Sequence, residues 1–266
     1  MALACPAVSE IEFLGALHVE LLRHAELHAE RPAHELFQTS TVQALLAGAY
    51  DGDVTLAEVL EHGDLGLGTL DGLDGELIVL DGEAWKAELD CTLTRVALTS
   101  KTPYAVVVPF APGEPQALVG PFGESELEAR LGGAVTDATH PTAVRIDGRF
   151  GEVHVRSVPR QSPPYLPLAE VISQQQVSVL HDVVGTMVGF CFPDTLDGIE
   201  MAGAHLHFVS DDRKRGGHVL SYTLLDATAW LDAASGLHVE LPAAVAAPRH
   251  GAQLDADTLS RIEHDR

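Results

Sequence analysis

The sequence predicts a mixed α/β (α+β) fold built from two β-rich domains with mixed sheets. Three observations lead there. Apolar runs of strand length, such as Glu76–Leu80 and Tyr104–Phe110, are bounded by the turn dipeptides Asp71-Gly72, Asp74-Gly75 and Asp81-Gly82. Segments with helical spacing are few and short, and they lie between such runs. A proline-rich stretch, Pro159–Pro167, separates two β-rich halves, because proline keeps the residue before it extended. The expected division is 1–158, a mixed-sheet domain with flanking helices, and 159–266, a second β-rich domain.

In chain order, Glu10–Glu30 places Ile11, Leu14, Leu17, Leu21 and Leu22 at helical spacing and predicts a helix, with His18, His24 and His28 on its polar face. His34–Asp53 predicts a strand, then a short helix ending at Asp51-Gly52. Thr55 can cap a helix over Leu56–Gly63, with Glu58 at the reciprocal capping-box position. Asp64–Asp90 is dense in glycine and predicts tight hairpins. Its Gly66-Leu67-Gly68 lacks the third glycine and following helix of a dinucleotide fingerprint. Glu76 opens an apolar strand, where a buried carboxylate needs a compensating cation or proton, although a solvent-facing strand end fits equally.

Arg95–Ser100 and Tyr104–Phe110 read as strands, and Gly123–Leu131 as an acidic helix. Thr142–Arg149 and Glu152–Val158 predict a hairpin across Asp147-Gly148-Arg149, with Arg156 on its second strand. Leu168–His181 reads as a helix and Asp182–Phe192 as a glycine-spaced strand. Two further strands follow at Gly203–Val209 and His218–Thr223, then one at Gly236–Leu241. The tail is expected to form a short helix, Asp257–His264, carrying Glu263.

The 266 residues are 46% hydrophobic, which is enough for a real core. Lys plus Arg total 16 against 39 Asp plus Glu, a formal charge of −23, which repels nucleic acid and anionic membranes. An anionic ligand would need a local positive centre. The cysteines Cys5, Cys91 and Cys191 are scattered, so neither a disulfide framework nor a cysteine-held metal is expected. No basic n-region with an apolar run opens the chain, and no apolar stretch reaches membrane-spanning length. A cytoplasmic setting is therefore expected.

The chemistry-bearing stretch is Gly203–Val219, GAHLHFVSDDRKRGGHV. On a strand His205 and His207 point the same way, with Cα atoms roughly 7 Å apart. Ala204, Leu206 and Phe208 face the opposite side. A hairpin through the charged, glycine-ended turn brings His218 back beside His207. Three imidazoles with an open fourth position form the usual plan of a catalytic zinc site, though other divalent transition metals accept the same donors. With 14 histidines in the chain, an alternation of this kind also arises without a metal.

The segments LFQTSTVQALLAGAYDGDVTLAEVLEHGDLGLGTLDGLDGELIVLDG, RIDGRFGEVHVRSVPRQSPPYLPLAEV and VVGTMVGFCFPDTLDGIEMAGAHLHFVSDDRKRGGHVL resemble the α-acetolactate decarboxylases, over about Leu36 to Leu241. The resemblance implies a two-domain α/β fold and zinc-dependent decarboxylation of 2-acetolactate to acetoin and CO2. It implies Zn2+ held by His205, His207 and His218 on the second sheet or barrel. The glutamate of the family's DGEL segment falls on Glu76, and its arginine on Arg156 in preference to Arg160. The threonine before DGEL falls on Thr69, a possible substrate hydrogen-bond donor. A tail glutamate falls nearest Glu263, with Glu240 the alternative.

The chemistry then expected is a metal-chelated enediolate, protonated by a carboxyl group such as Glu76 with its pKa raised by burial. Arg156 would grip the substrate carboxylate, and Glu263 would share the proton work or close the site. The expected partners are the small-molecule substrate and a second copy in a homodimer. A cupin-like metal-dependent oxygenase or isomerase is the alternative within enzymes. A metal-stabilised binding protein is the alternative outside them. A cupin-like site should carry a carboxylate shortly after the histidine pair, whereas Asp211 and Asp212 fall in the turn.

Overall fold

A computed structural model of the chain describes residues 11–13, 17–23, 34–131 and 140–241. The first described elements are strands β1 (Ile11–Phe13) and β2 (Leu17–Arg23), where helical spacing predicted a helix. The reason is tertiary. β2 lies parallel to a strand more than 200 residues away, Gly236 pairing with His18, and a local pattern cannot register such a partner. Next come β3 (Glu35–Thr39), helix α1 (Val42–Leu46), β4 (Val54–Thr55) and helix α2 (Leu56–Leu60). The expected capping box is present: the Glu58 amide donates to the Thr55 hydroxyl, and the Glu58 carboxylate accepts from the Thr55 amide at 2.7 Å.

The glycine-rich stretch forms β5 (Leu65–Thr69), β6 (Glu76–Leu80) and β7 (Glu83–Ala87). Asp81 and Gly82 turn between the last two with φ of 53° and 75°, the left-handed pair that a two-residue hairpin requires. β8 (Leu93–Arg95) ends where a strand had been expected to continue to Ser100; a turn follows, closed by Ser100 N–H to the Ala97 carbonyl. β9 (Lys101–Thr102), β10 (Tyr104–Val108), β11 (Gln116–Phe122) and helix α3 (Glu124–Leu131) complete the first half.

β12 (Thr142–Ser157) is one strand of 16 residues, not the expected hairpin. Asp147-Gly148 does not turn because it is paired on both sides, Asp147 with Thr186 and with Thr228. Gly148 serves close packing instead: a Cβ there would meet that of Ala227 at 2.3 Å. Helix α4 (Leu168–Ile172) spans only the start of the expected helix, and Gln176–His181 joins strand β13 (Gln176–Phe192). Val177 and Val179 alternate there against β12, and cross-strand pairing overrides the helical pattern. A 3₁₀ turn at Asp194–Leu196 leads into β14 (Gly203–Ser210), β15 (Gly216–Ala233) and β16 (Gly236–Leu241). The expected tail helix with Glu263 lies outside the described residues.

Two large sheets result. One has nine strands in the order β1-β2-β16-β3-β10-β5-β6-β7-β8. The other has five, β11-β15-β12-β13-β14, and β15 also pairs with β14, so this sheet closes into a barrel at one end. Sheet membership crosses residues 158 and 159: β11 and β12 belong to the closed sheet, and β16 returns to the nine-stranded one.

Three apolar layers follow from strand alternation. Leu67, Ile78, Val106 and Leu237 from the nine-stranded sheet pack against Val188, Phe190 and Val209 from the other. Leu77, Val79 and Val107 face away and are covered by Leu56 and Val59 of α2. Val144, Phe150, Leu206 and Phe208 fill the closed sheet, where Leu127 and Leu131 of α3 join them. No helix among the described residues is long and apolar enough to cross a membrane.

Candidate active site

The cleft between the two sheets is built from two transverse rows of side chains. Directly opposed residues in an antiparallel pair share a face. On the closed sheet His207 is opposed to His218, and His218 to Arg156, so one row runs across β14, β15 and β12. On the nine-stranded sheet Tyr104 is opposed to Thr69, and Thr69 to Glu76, across β10, β5 and β6. All six residues line the same cleft, with His205 two residues before His207.

Leu206 and Phe208 are anchored in the core behind β14, which points His205 and His207 towards the cleft. The ligating nitrogens of His205, His207 and His218 lie within 4.8 Å of one another. Their ring centroids are 5.0–5.4 Å apart. His207 Nδ1 lies 2.8 Å from the Leu77 carbonyl oxygen. A carbonyl only accepts, so Nδ1 carries the proton and Nε2 presents its lone pair to the cleft. Three imidazoles, one with its tautomer set by a bond to the facing sheet, fit a divalent transition metal.

Glu76 Oε2 stands 3.7 Å from His207 Nε2. Arg156 is 5% exposed, and its Nη1 donates to Gln175 Oε1 at 3.2 Å, which holds the guanidinium in place. It is a positive group in the wall of a cleft in a chain of charge −23. Arg160 is instead largely exposed beside Asp71 and Asp74. Thr69 Oγ1 donates to the Gly75 carbonyl at 2.9 Å, and Thr69 lines the cleft. The rest of the wall is apolar, with Leu168, Ile172 and Met201 among it.

Glu240, the alternative tail carboxylate, does not line the cleft. Leu237 and Val239 of β16 face the inter-sheet core, so His238 and Glu240 point to the opposite side, where His238 tilts against Phe37. Asp211 and Asp212 are exposed in the turn and are not part of the three-histidine group.

Two residues of this region escape the sequence reading. Tyr104 stands in an apolar strand and reads as core; its hydroxyl donates to Glu200 Oε2 at 2.5 Å. Glu200, 1% exposed, lies in the turn that leads into β14. Its one sequence signal is a carboxylate set within the apolar run Ile199-Glu200-Met201-Ala202.

A family model described as Alpha-acetolactate decarboxylase matches residues 36–247. The α-acetolactate decarboxylase of Methylococcus capsulatus is 40% identical over 224 residues, 84% of this chain and 84% of that protein. That of Klebsiella aerogenes is 37% identical over 231 residues, covering 86% and 89% respectively. The crystal structure of the α-acetolactate decarboxylase from Bacillus subtilis strain 168 superposes with a TM-score of 0.80 at 34% identity, covering 86% of this chain and 99% of that one.

Proposed function

The chain belongs to the α-acetolactate decarboxylase family, and on that footing we propose that it converts 2-acetolactate to acetoin and CO2 with zinc held by His205, His207 and His218. The observation that carries this reading is the meeting, in one cleft, of three imidazoles, one buried arginine and one carboxyl group. Zinc bound there supplies a Lewis acid for the ketone oxygen as negative charge develops on it.

The chain's own residues do the rest. Arg156 offers two parallel N–H groups to the substrate carboxylate and orients the bond to be broken. It serves to position that group, since tighter binding of the ground state than of the transition state would slow its departure. When the carbon–carboxylate bond breaks, its electron pair enters the new carbon–carbon double bond of an enediolate and CO2 leaves. Glu76, beside His207, then donates a proton to carbon, and the double bond collapses back to the ketone of acetoin. Leu168, Ile172 and Met201 make part of the cleft wall apolar, which disfavours water as a competing proton source. Glu263 remains the proposed tail carboxylate, sharing proton transfer or closing the cleft.

The test is direct. Purified protein is incubated with racemic acetolactate, with and without a chelator, and acetoin is followed. Acetoin that forms only without chelator supports the reading. Oxygen consumption with iron as the effective metal favours the cupin-like alternative, and the absence of turnover in the metal-loaded protein rejects the reading.

A further inference from the structure

We propose that Tyr104, held by Glu200, is a substrate-positioning residue that accepts a hydrogen bond from the substrate's tertiary hydroxyl; this rests on the decarboxylase reading above. Tyr104 lines the cleft in the same row as Thr69 and Glu76. The ends of β10 and β5 meet at Thr102, whose buried hydroxyl oxygen lies 2.7 Å from the Thr69 carbonyl and 2.8 Å from the Tyr104 carbonyl, shares its one proton between them, and accepts from the Tyr104 amide at 3.1 Å. The carboxylate behind Tyr104 is equally well placed. The Glu200 amide donates to the Leu196 carbonyl, and the neighbouring Ile199 carbonyl accepts from Val42 N–H and Gln38 Nε2.

The chemistry follows from where the protons are. The phenolic O–H of Tyr104 donates to the buried Glu200 Oε2 at 2.5 Å. A phenol whose proton is committed meets a ligand only through its oxygen lone pairs. Thr69 is in the same condition, with its hydroxyl proton given to Gly75. The row on the nine-stranded sheet therefore presents two acceptor oxygens beside Glu76, while the facing row presents the Arg156 guanidinium. 2-Acetolactate carries its carboxylate and its hydroxyl on one carbon, so anchoring the anion on Arg156 leaves the hydroxyl to turn towards the facing acceptor row. The carboxylate itself is repelled by that row. The single hydroxyl proton goes to Tyr104, with the Thr69 oxygen beside it.

The experiment uses two unreactive acids with the same carbon skeleton, 2-hydroxy-2-methylbutanoate and 2-methylbutanoate, each titrated calorimetrically into the metal-loaded full chain. The wild type is expected to bind the hydroxylated acid about 5- to 10-fold more tightly, the yield of one well-made hydrogen bond. Tyr104→Phe keeps the ring and is expected to bring that preference below about twofold, with KM for acetolactate rising more than kcat falls. Glu200→Gln lets an amide donate to the phenol, which frees the phenolic proton, so it should erode the same preference although the phenol remains. A preference that survives in both variants, or variants that lose only thermal stability, overturns the proposal. If Tyr104→Phe removes the preference but the wild type never forms acetoin, the decarboxylase reading fails and only the contact of Tyr104 with a hydroxy acid stands. If it forms acetoin without that preference, the reverse holds.

Discussion

At the scale of single residues, the cleft divides its work by proton inventory. His207 gives its Nδ1 proton to the Leu77 carbonyl, so Nε2 is the nitrogen it would offer to a metal in the proposed site. Glu76 stands beside that nitrogen and lines the cleft, and the proposed mechanism gives it the proton. Glu76→Gln preserves the shape of the side chain and removes its acid function. Turnover should fall by about 10²- to 10⁴-fold, the usual contribution of a positioned general acid, with metal content unchanged. Acetoin production and metal analysis on the same preparation check this, and loss of the metal would make Glu76 a ligand. The histidine trio was legible because alternation on a strand and a short hairpin are local rules. Tyr104 and Glu200 were not, since 96 residues separate a pair joined only when the two sheets face each other.

At the scale of elements, the placement of the histidines depends on how closely strands approach. Gly189 of β13 is opposed to Leu206 of β14, and a Cβ added there would lie 1.9 Å from the His205 carbonyl oxygen. That contact is with backbone, so β14 itself would have to move. Gly189→Ala should therefore weaken metal retention on dialysis and lower the melting temperature, while Glu76 and Arg156 are untouched. Retention equal to wild type would show that β14 can shift without moving His205. The same pairing forces explain where local patterns mislead. Asp147-Gly148 looks like a turn and lies inside a strand paired on both sides. Val177 and Val179 sit in a segment of helical spacing and pair with β12.

For the whole molecule, the site is a seam. His205, His207, His218 and Arg156 come from the closed sheet, whereas Thr69, Glu76 and Tyr104 come from the nine-stranded sheet. The His207–Leu77 bond crosses that seam, as does the 3.7 Å approach of Glu76 to His207. A metal bound only by the folded chain stabilises it by mass action, about 4 kcal/mol at 1,000 times Kd. Chelation should thus lower the melting temperature as well as abolish activity, and zinc should restore both. Calorimetry with and without chelator checks this; an unchanged melting temperature would mean that the histidines hold no ion in the folded protein.

By itself the sequence determined the β-rich class, the Asp81-Gly82 hairpin, the Thr55 cap and the face on which His205, His207 and His218 stand. Each of these depends on φ preferences, capping or alternation over a few neighbouring residues. Only the tertiary structure decided that Ile11–Phe13 and Leu17–Arg23 form strands, that Thr142–Ser157 is one strand, and that β16 returns to the first sheet. It alone aligned the row of Tyr104, Thr69 and Glu76 against the row of His207, His218 and Arg156. Those outcomes depend on hydrogen bonding and packing between segments far apart in the chain, and a local pattern holds no record of which distant strand will supply the partner.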